Sequence, residues 1–186
     1  MRITVKVGIL FAIGWILVKL SLFGMGIDTK EVIIPAAFVN MFFLILAITL
    51  GLYLQKRKDT EDGNALRDIK NGMSAGIPYT LVVSIFIYFY YSKIEPDYLK
   101  HQLKERETEL VKQLNNPVTL KKIKDSNADF EVMTKDQIQK QMMTNDKSPL
   151  SANSITVMAL LAMTMYTTLN SIFITIIFRK IVFRRK

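Results

Sequence analysis

Polar and charged positions divide this chain into four long apolar stretches, residues 7–27, 32–54, 72–92 and 154–178. A helix rises about 1.5 Å per residue, so each stretch is long enough to cross a hydrocarbon core about 30 Å thick. The four stretches together contain a single charged residue, Lys19. The pattern predicts an all-α membrane protein with four transmembrane helices and a helical extracytoplasmic insert of about 60 residues between the third and fourth spans.

The first stretch is predicted to be a retained helix. Arg2 and Lys6 are typical of the basic start of a signal peptide, but the apolar run is long and residues 21–26 offer no A-x-A cleavage site. Lys19 lies near the far end of the run, from where its long side chain can carry the ammonium group to the lipid headgroups. A role of Lys19 in proton or ion coupling is the alternative.

Small and hydroxylated residues mark two faces for helix packing. Every fourth position of one face of the third stretch is small, which lets another helix approach closely. These residues are Gly72, Gly76, Thr80 and Ser84. The fourth stretch has a hydroxylated face made of Thr164, Thr168, Ser171 and Thr175. We expect both faces to pack against neighbouring spans; a homodimer seam for the first and a polar conduction path for the second are the alternatives.

The connection of residues 93–153 is predicted to be helical. Pro96 suits the first turn of a helix, residues 115–117 form a stop, and a capping box predicts a second helix over residues 134–142. The first of these helices has an apolar stripe made of Leu99, Leu103, Leu110 and Leu114. Because the insert is too small and polar to bury a robust core, we expect this stripe to dock on the next helix, the membrane surface or a partner protein.

Basic residues predict the orientation of the chain. They cluster before the first stretch, in residues 55–71 and after the fourth stretch, whereas the connection of residues 28–31 has only Lys30. Short cytoplasmic segments are enriched in Lys and Arg, so both termini are expected in the cytoplasm and the insert on the opposite side of the inner membrane.

The basic tail is predicted to bind anionic lipid, through Arg179, Lys180, Arg184, Arg185 and Lys186. Membrane lipid accounts for the net charge of +9, so nucleic acid is not expected as a partner. The chain has no cysteine and one histidine, His101, which excludes a thiol nucleophile, Cys-ligated metals and a multi-His metal site. No catalytic residue, metal or cofactor is predicted.

Two segments resemble a known family. The segment DIKNGMSAGIPYTLVVSIFIYFYYSKIEPDYLKHQL, at residues 68–103, and the segment NSIFITIIFRKIVF, at residues 170–183, are similar to the bacterial family called domain of unknown function 4199. The resemblance implies a four-span membrane protein typical of Bacteroidetes, with no established activity or catalytic residues. It also implies a gene that often lies near one for a membrane-associated glycosyltransferase.

Three classes of function remain open. The first is a non-catalytic accessory or scaffold subunit that binds a protein partner in the membrane. The second is a small transporter or channel, which would be a homo-oligomer because four helices leave little room for a pore. The third is an enzyme acting on lipid or lipid-linked sugar, for which the insert's Glu95 and Asp97 are the best remaining candidates.

Overall fold

The computed structural model describes residues 2–27, 29–58, 64–147 and 149–182, which form eight α-helices and two π-helical extensions. The helices are α1 (Ile3–Gly24), α2 (Thr29–Lys58), α3 (Ala65–Phe89), α4 (Pro96–Asn115), α5 (Pro117–Ser126), α6 (Ala128–Glu131), α7 (Lys135–Lys147) and α8 (Ala152–Ile177). The π-helical segment Tyr90–Ile94 extends α3, and Phe178–Val182 extends α8. Four helices, α1, α2, α3 and α8, are long and apolar enough to cross a membrane. The prediction of four spans is confirmed, and the protein is a multi-pass membrane protein.

The helices are longer than the apolar stretches that predict them. The helix α2 continues to Lys58, and α3 begins at Ala65, well before the apolar run at Gly72. The side-chain oxygen of Asn64 accepts a hydrogen bond from the backbone N–H of Arg67 at 2.8 Å, which caps the start of α3. The extra turn places Asp68 inside a helix rather than in a loop.

The chain forms two compact units. The bundle unit consists of Met1–Ile87 and Thr156–Lys186, and the insert unit consists of Tyr88–Ile155. The bundle unit contains α1, α2 and α8 with most of α3. The insert unit contains α4 to α7.

Within the bundle unit, α1 runs antiparallel to α2. The indole N–H of Trp15 donates to the carbonyl oxygen of Ala36 at 3.3 Å, while Thr4 of α1 lies beside Gly51 at the other end of the pair. Trp15 also meets Phe86 of α3, with ring centroids 5.8 Å apart and planes at 88°. Trp15 therefore joins three helices of the bundle.

Ala75 of α3 is the point at which α1 and α2 both come closest to α3. A β-carbon at Gly8 would overlap the carbonyl oxygen of Ala75, and a β-carbon at Gly51 would lie 2.7 Å from the Ala75 Cβ. The absence of a side chain at both glycines is what allows these helices to touch. The sequence analysis did not single out Gly8 or Gly51.

The insert unit has a core of its own. Leu110 and Leu114 of α4 are buried against Phe130, Ile138 and Met143. The expectation that the insert cannot bury a core was wrong, because four short helices close around these side chains.

The leucine stripe is therefore used inside the insert unit. Leu99, Leu110 and Leu114 are buried, and Leu103 is half-buried. Of the three docking surfaces expected for the stripe, the following helices of the insert are the one observed. Leu110 and Leu114 are not free to bind a partner or the membrane surface.

The predicted turn chemistry of the insert is confirmed. The backbone N–H of Thr134 donates to the Gln137 side chain at 2.8 Å, and the N–H of Gln137 donates to the Thr134 hydroxyl at 3.4 Å. These two bonds are the reciprocal pair of a capping box, and α7 begins at Lys135. The Asn116 side chain accepts from the N–H of Val118 at 3.0 Å, which separates α4 from α5.

We expect Gly8→Ala to destabilise the bundle unit, because its methyl group would overlap the backbone of Ala75. Overpacking of this kind typically costs about 1 to 3 kcal/mol. Gly24→Ala is the matched control, since nothing lies within 4 Å of a β-carbon there. Thermal unfolding in detergent should show a lower midpoint for Gly8→Ala than for Gly24→Ala, and equal midpoints would contradict the close approach.

Leu114→Ala tests the core of the insert unit. Leu114 is 1% exposed, so we expect the truncation to cost about 2 to 5 kcal/mol. Hydrogen exchange of the full-length protein should lose protection in α4 and α7. The control, Val132→Ala, removes methyl groups from a residue that is 88% exposed and should leave protection unchanged. Unchanged protection in both variants would show that the core does not hold the unit together.

Candidate functional site

A buried carboxylate joins three segments at one end of the bundle unit. Asp68 of α3 is only 3% exposed. Its Oδ2 lies 2.5 Å from Nζ of Lys56 in α2 and 2.9 Å from Nη1 of Arg179, just after α8. One carboxylate oxygen thus holds the ends of α2 and α8 to the start of α3.

Charge balance explains why this carboxylate can be buried. A carboxylate removed from water costs several kcal/mol unless cations and hydrogen bonds replace its hydration. Lys56 and Arg179 supply both, and their side chains are 18% and 41% exposed, so each cation retains contact with the surroundings. The acid is enclosed while its partners form the outer edge of the cluster.

The predicted anionic-lipid residues divide into three cases. Arg179 pairs with Asp68, because it lies one turn beyond Thr175 on the face of α8 that meets α3. Lys180 is exposed. Arg184, Arg185 and Lys186 lie outside the described residues. Lipid binding by the tail stays a prediction, with Arg179 already engaged inside the protein.

The small residues of α3 meet α8 along what we call the α3–α8 seam: Gly72, Gly76 and Thr80 of α3 facing Thr167, Ser171 and Thr175 of α8. A β-carbon at Gly76 would overlap the Thr167 side chain, and one at Gly72 would lie 3.1 Å from the Ser171 hydroxyl oxygen. The hydroxyl oxygens of Thr80 and Thr167 lie 3.3 Å apart and form a buried hydrogen bond. The numbering falls on α8 as it rises on α3, so the two helices are antiparallel.

The structure does not bring all the predicted hydroxylated residues into this seam. The Thr164 hydroxyl donates to the carbonyl oxygen of Leu160 at 2.7 Å, and that of Thr168 donates to Thr164 at 3.0 Å. Thr164 is exposed, whereas Thr167, absent from the predicted face, is fully buried. A helical face drawn back from Ser171 by four residues reaches Thr167, and this signal was available in the sequence.

A second polar cluster lies deeper in the bundle unit. The Tyr79 hydroxyl donates to the side-chain oxygen of Asn40 at 2.5 Å, and the Asn40 amide N–H donates to the sulfur of Met163 at 3.3 Å. These bonds connect α3, α2 and α8. Sequence reasoning identified Asn40 as an amide that needs a partner in the membrane but did not find Tyr79.

Lys19 differs from its predicted position. It is 5% exposed and lies on the buried face of α1 with Ala12 and Trp15. The expected extension to the headgroups is therefore not observed, because Lys19 follows Trp15 by one turn on the face that packs against the bundle. The alternative role in ion coupling stays untested.

Comparison with protein families decides the relationship of the chain. A family model for proteins of unknown function, DUF4199, matches residues 6–180. The chain belongs to the DUF4199 family. The match covers both segments that carried the resemblance. Comparisons with curated proteins and with solved structures found no match.

The acidic candidates of the DUF4199 chain's insert have ordinary surface surroundings. Lys100 donates a hydrogen bond to Asp97 at 2.8 Å and lowers the pKa of that fully exposed carboxyl. A lowered pKa keeps Asp97 ionised, which suits an ion pair and not a general acid. His101 is exposed on α4. Within the described part of the chain, no three His, Asp or Glu side chains are grouped to hold a metal ion.

The Asp68 cluster predicts a non-additive loss of stability. Lys56→Gln or Arg179→Gln alone should cost about 1 kcal/mol, because one partly exposed cation remains beside the acid. The double variant leaves a buried, unpaired carboxylate, which should cost about 3 to 5 kcal/mol. Unfolding in detergent measures all three variants as a double-mutant cycle.

Lys100→Gln serves as the control for this cycle, since it removes a cation from an exposed ion pair and should leave the unfolding midpoint unchanged. If the double variant loses only the sum of the two single losses, Asp68 is not held by a shared cluster.

Proposed function

We propose that this DUF4199 protein is a non-catalytic integral subunit of the bacterial inner membrane that holds a protein partner. The observation that supports this best is that polar groups of the spans bond to one another across helices. Tyr79 binds Asn40, and Thr80 pairs with Thr167. Together with the Asp68 cluster, these bonds fix the four spans against each other, as a scaffold requires.

The outward faces of the spans provide surface for a partner within the membrane. Large apolar side chains are exposed on every span, among them Leu17, Phe38, Ile85, Leu161 and Phe173. In a bilayer such surfaces contact lipid or the transmembrane helices of another protein. We propose that part of this surface packs against the membrane segments of the partner.

The arrangement of basic residues supports an orientation with both termini in the cytoplasm. The Asp68 cluster brings the basic end of α2, the start of α3 and the end of α8 to one end of the bundle unit. Arg57, Lys58 and Lys70 are exposed near this end. A basic surface of this kind is attracted to the anionic cytoplasmic leaflet, and the insert then lies on the opposite side of the membrane.

A membrane-associated glycosyltransferase is the partner that we propose, because the family resemblance implies such a gene neighbour. In this arrangement the enzyme supplies the chemistry and the DUF4199 protein supplies its position in the membrane. The basic tail would lie against the cytoplasmic leaflet or the enzyme.

A pull-down of the tagged protein at native expression tests the proposal. Gentle detergent, mass spectrometry and the mass of the intact complex should reveal a second protein in fixed stoichiometry, with a glycosyltransferase expected. A tagged, unrelated four-span protein expressed at the same level is the control for adventitious capture. A homo-oligomer without a second protein would contradict the scaffold proposal.

A small oligomeric transporter or channel is the second candidate function. The observation that favours it is that the hydroxyl groups of Ser84, Ser171 and Thr175 are buried without a hydrogen-bond partner among the described residues. Polar groups of this kind can line a path for a polar solute. Uptake or conductance by the pure protein in liposomes would establish this function.

A further inference from the structure

We infer that the α3–α8 seam contains a hydrated site beside Asp68, in which water molecules bridge the Asp68 carboxylate to the hydroxyl groups of Thr175 and Ser171. The site opens at the charged end of the bundle unit and stops at the Thr80–Thr167 pair. The inference does not depend on the proposed scaffold function.

The antiparallel pairing of α3 and α8 places these groups together. Arg179 of the α8 extension reaches Asp68 at 2.9 Å, and Ser171 lies beside Gly72, one turn further along α3. Thr175 is on the same face of α8, midway between Ser171 and Arg179. Its hydroxyl therefore lies at the level between Asp68 and Gly72.

The two hydroxyl groups lack the partner that buried hydroxyls in a helix usually have. Ser171 is fully buried and Thr175 is 1% exposed, yet neither hydroxyl has a hydrogen-bond partner in the described part of the chain. Thr164 and Thr168 on the same helix donate to the carbonyl four residues earlier. The hydroxyls of Ser171 and Thr175 make no such bond, so they remain able to bind a ligand.

Asp68 provides the acceptor that such a ligand needs. Both ion pairs of Asp68 use the same oxygen, Oδ2. Within the described residues, Oδ1 accepts no hydrogen bond and is left for a donor. A buried water typically makes two to four hydrogen bonds, and Oδ1 with the two hydroxyl groups supplies that number.

Access to the site is possible from one end only. The side chains of Lys56 and Arg179 are partly exposed, so the Asp68 cluster is in contact with the surroundings of the bundle unit. At the other end, Thr80 and Thr167 are buried and bond to each other. The seam is thus a short inlet closed by a hydroxyl pair, and water is the ligand that its small donors and acceptors fit.

Cysteine accessibility tests the inference with no background, because the chain has no cysteine. Single variants Ser171→Cys and Thr175→Cys in native membrane vesicles are treated with 2-aminoethyl methanethiosulfonate, and the added mass is followed by mass spectrometry. The thiolate is the reactive form and requires water, so we expect both variants to react at least ten-fold faster than the controls.

The controls are Val83→Cys, at a fully buried apolar position of α3, and Thr164→Cys, at an exposed position of α8. The first reports on a dry interior and the second on the outer face of a span. Reaction of Thr175→Cys and Ser171→Cys at the rate of Val83→Cys would overturn the inference.

A second measurement covers variants that fail to fold. Thr175→Val keeps the shape of the side chain and removes the hydroxyl group. If water bridges that hydroxyl to Asp68, the unfolding midpoint in detergent falls; if the hydroxyl is dry and unpaired, its removal raises the midpoint. Thr164→Val is the matched control, and a rise for Thr175→Val relative to it would overturn the inference.

Discussion

The close approach of three helices to α3 is the contact on which the bundle unit depends. In lipid there is no hydrophobic force between spans, so van der Waals contact must hold them together. Gly8 and Gly51 bring α1 and α2 against Ala75, and Gly72 and Gly76 bring α8 against the neighbouring face. The helix α3 is therefore the central helix of the bundle unit, and small residues on two of its faces make that position possible.

Polar contacts follow from the same close packing. Helices that touch at Gly76 bring Thr80 within reach of Thr167, and the same antiparallel register carries Arg179 to Asp68. These bonds would be weak in water but are more useful where no solvent competes for them. The bundle unit thus combines a tight apolar interior with a small number of directed polar bonds, an arrangement better suited to holding shape than to performing chemistry.

The insert unit is stabilised by a different force. Its helices are polar outside and bury Leu110, Leu114 and Ile138 together, as in a small water-soluble domain. Arg106 of α4 donates to Asp146 of α7 at 3.1 Å, and Asp146 raises the pKa of this guanidinium. Because the leucine stripe is consumed in this core, recognition by the insert must use its charged outer surface or its loops.

The sequence by itself determined the four spans and the helices of the insert. Long apolar runs allow only one structure in lipid, since a helix satisfies all its own backbone groups, and Pro96 and the Thr134 capping box act within a few residues. These features are local, so no knowledge of distant contacts was needed to predict them.

Tertiary structure alone decided which faces meet. Gly8 is a single glycine in an apolar helix, and only its position opposite Ala75 gives it a role. The leucine stripe fits several docking surfaces equally well until Phe130 and Ile138 cover it. Likewise, Thr167 differs from Thr164 only by a rotation about the axis of α8, and Asp68 becomes a buried ion-pair centre only when α2 and α8 supply its cations. Helical periodicity defines the faces of a helix, but it contains no information about which neighbour each face will contact.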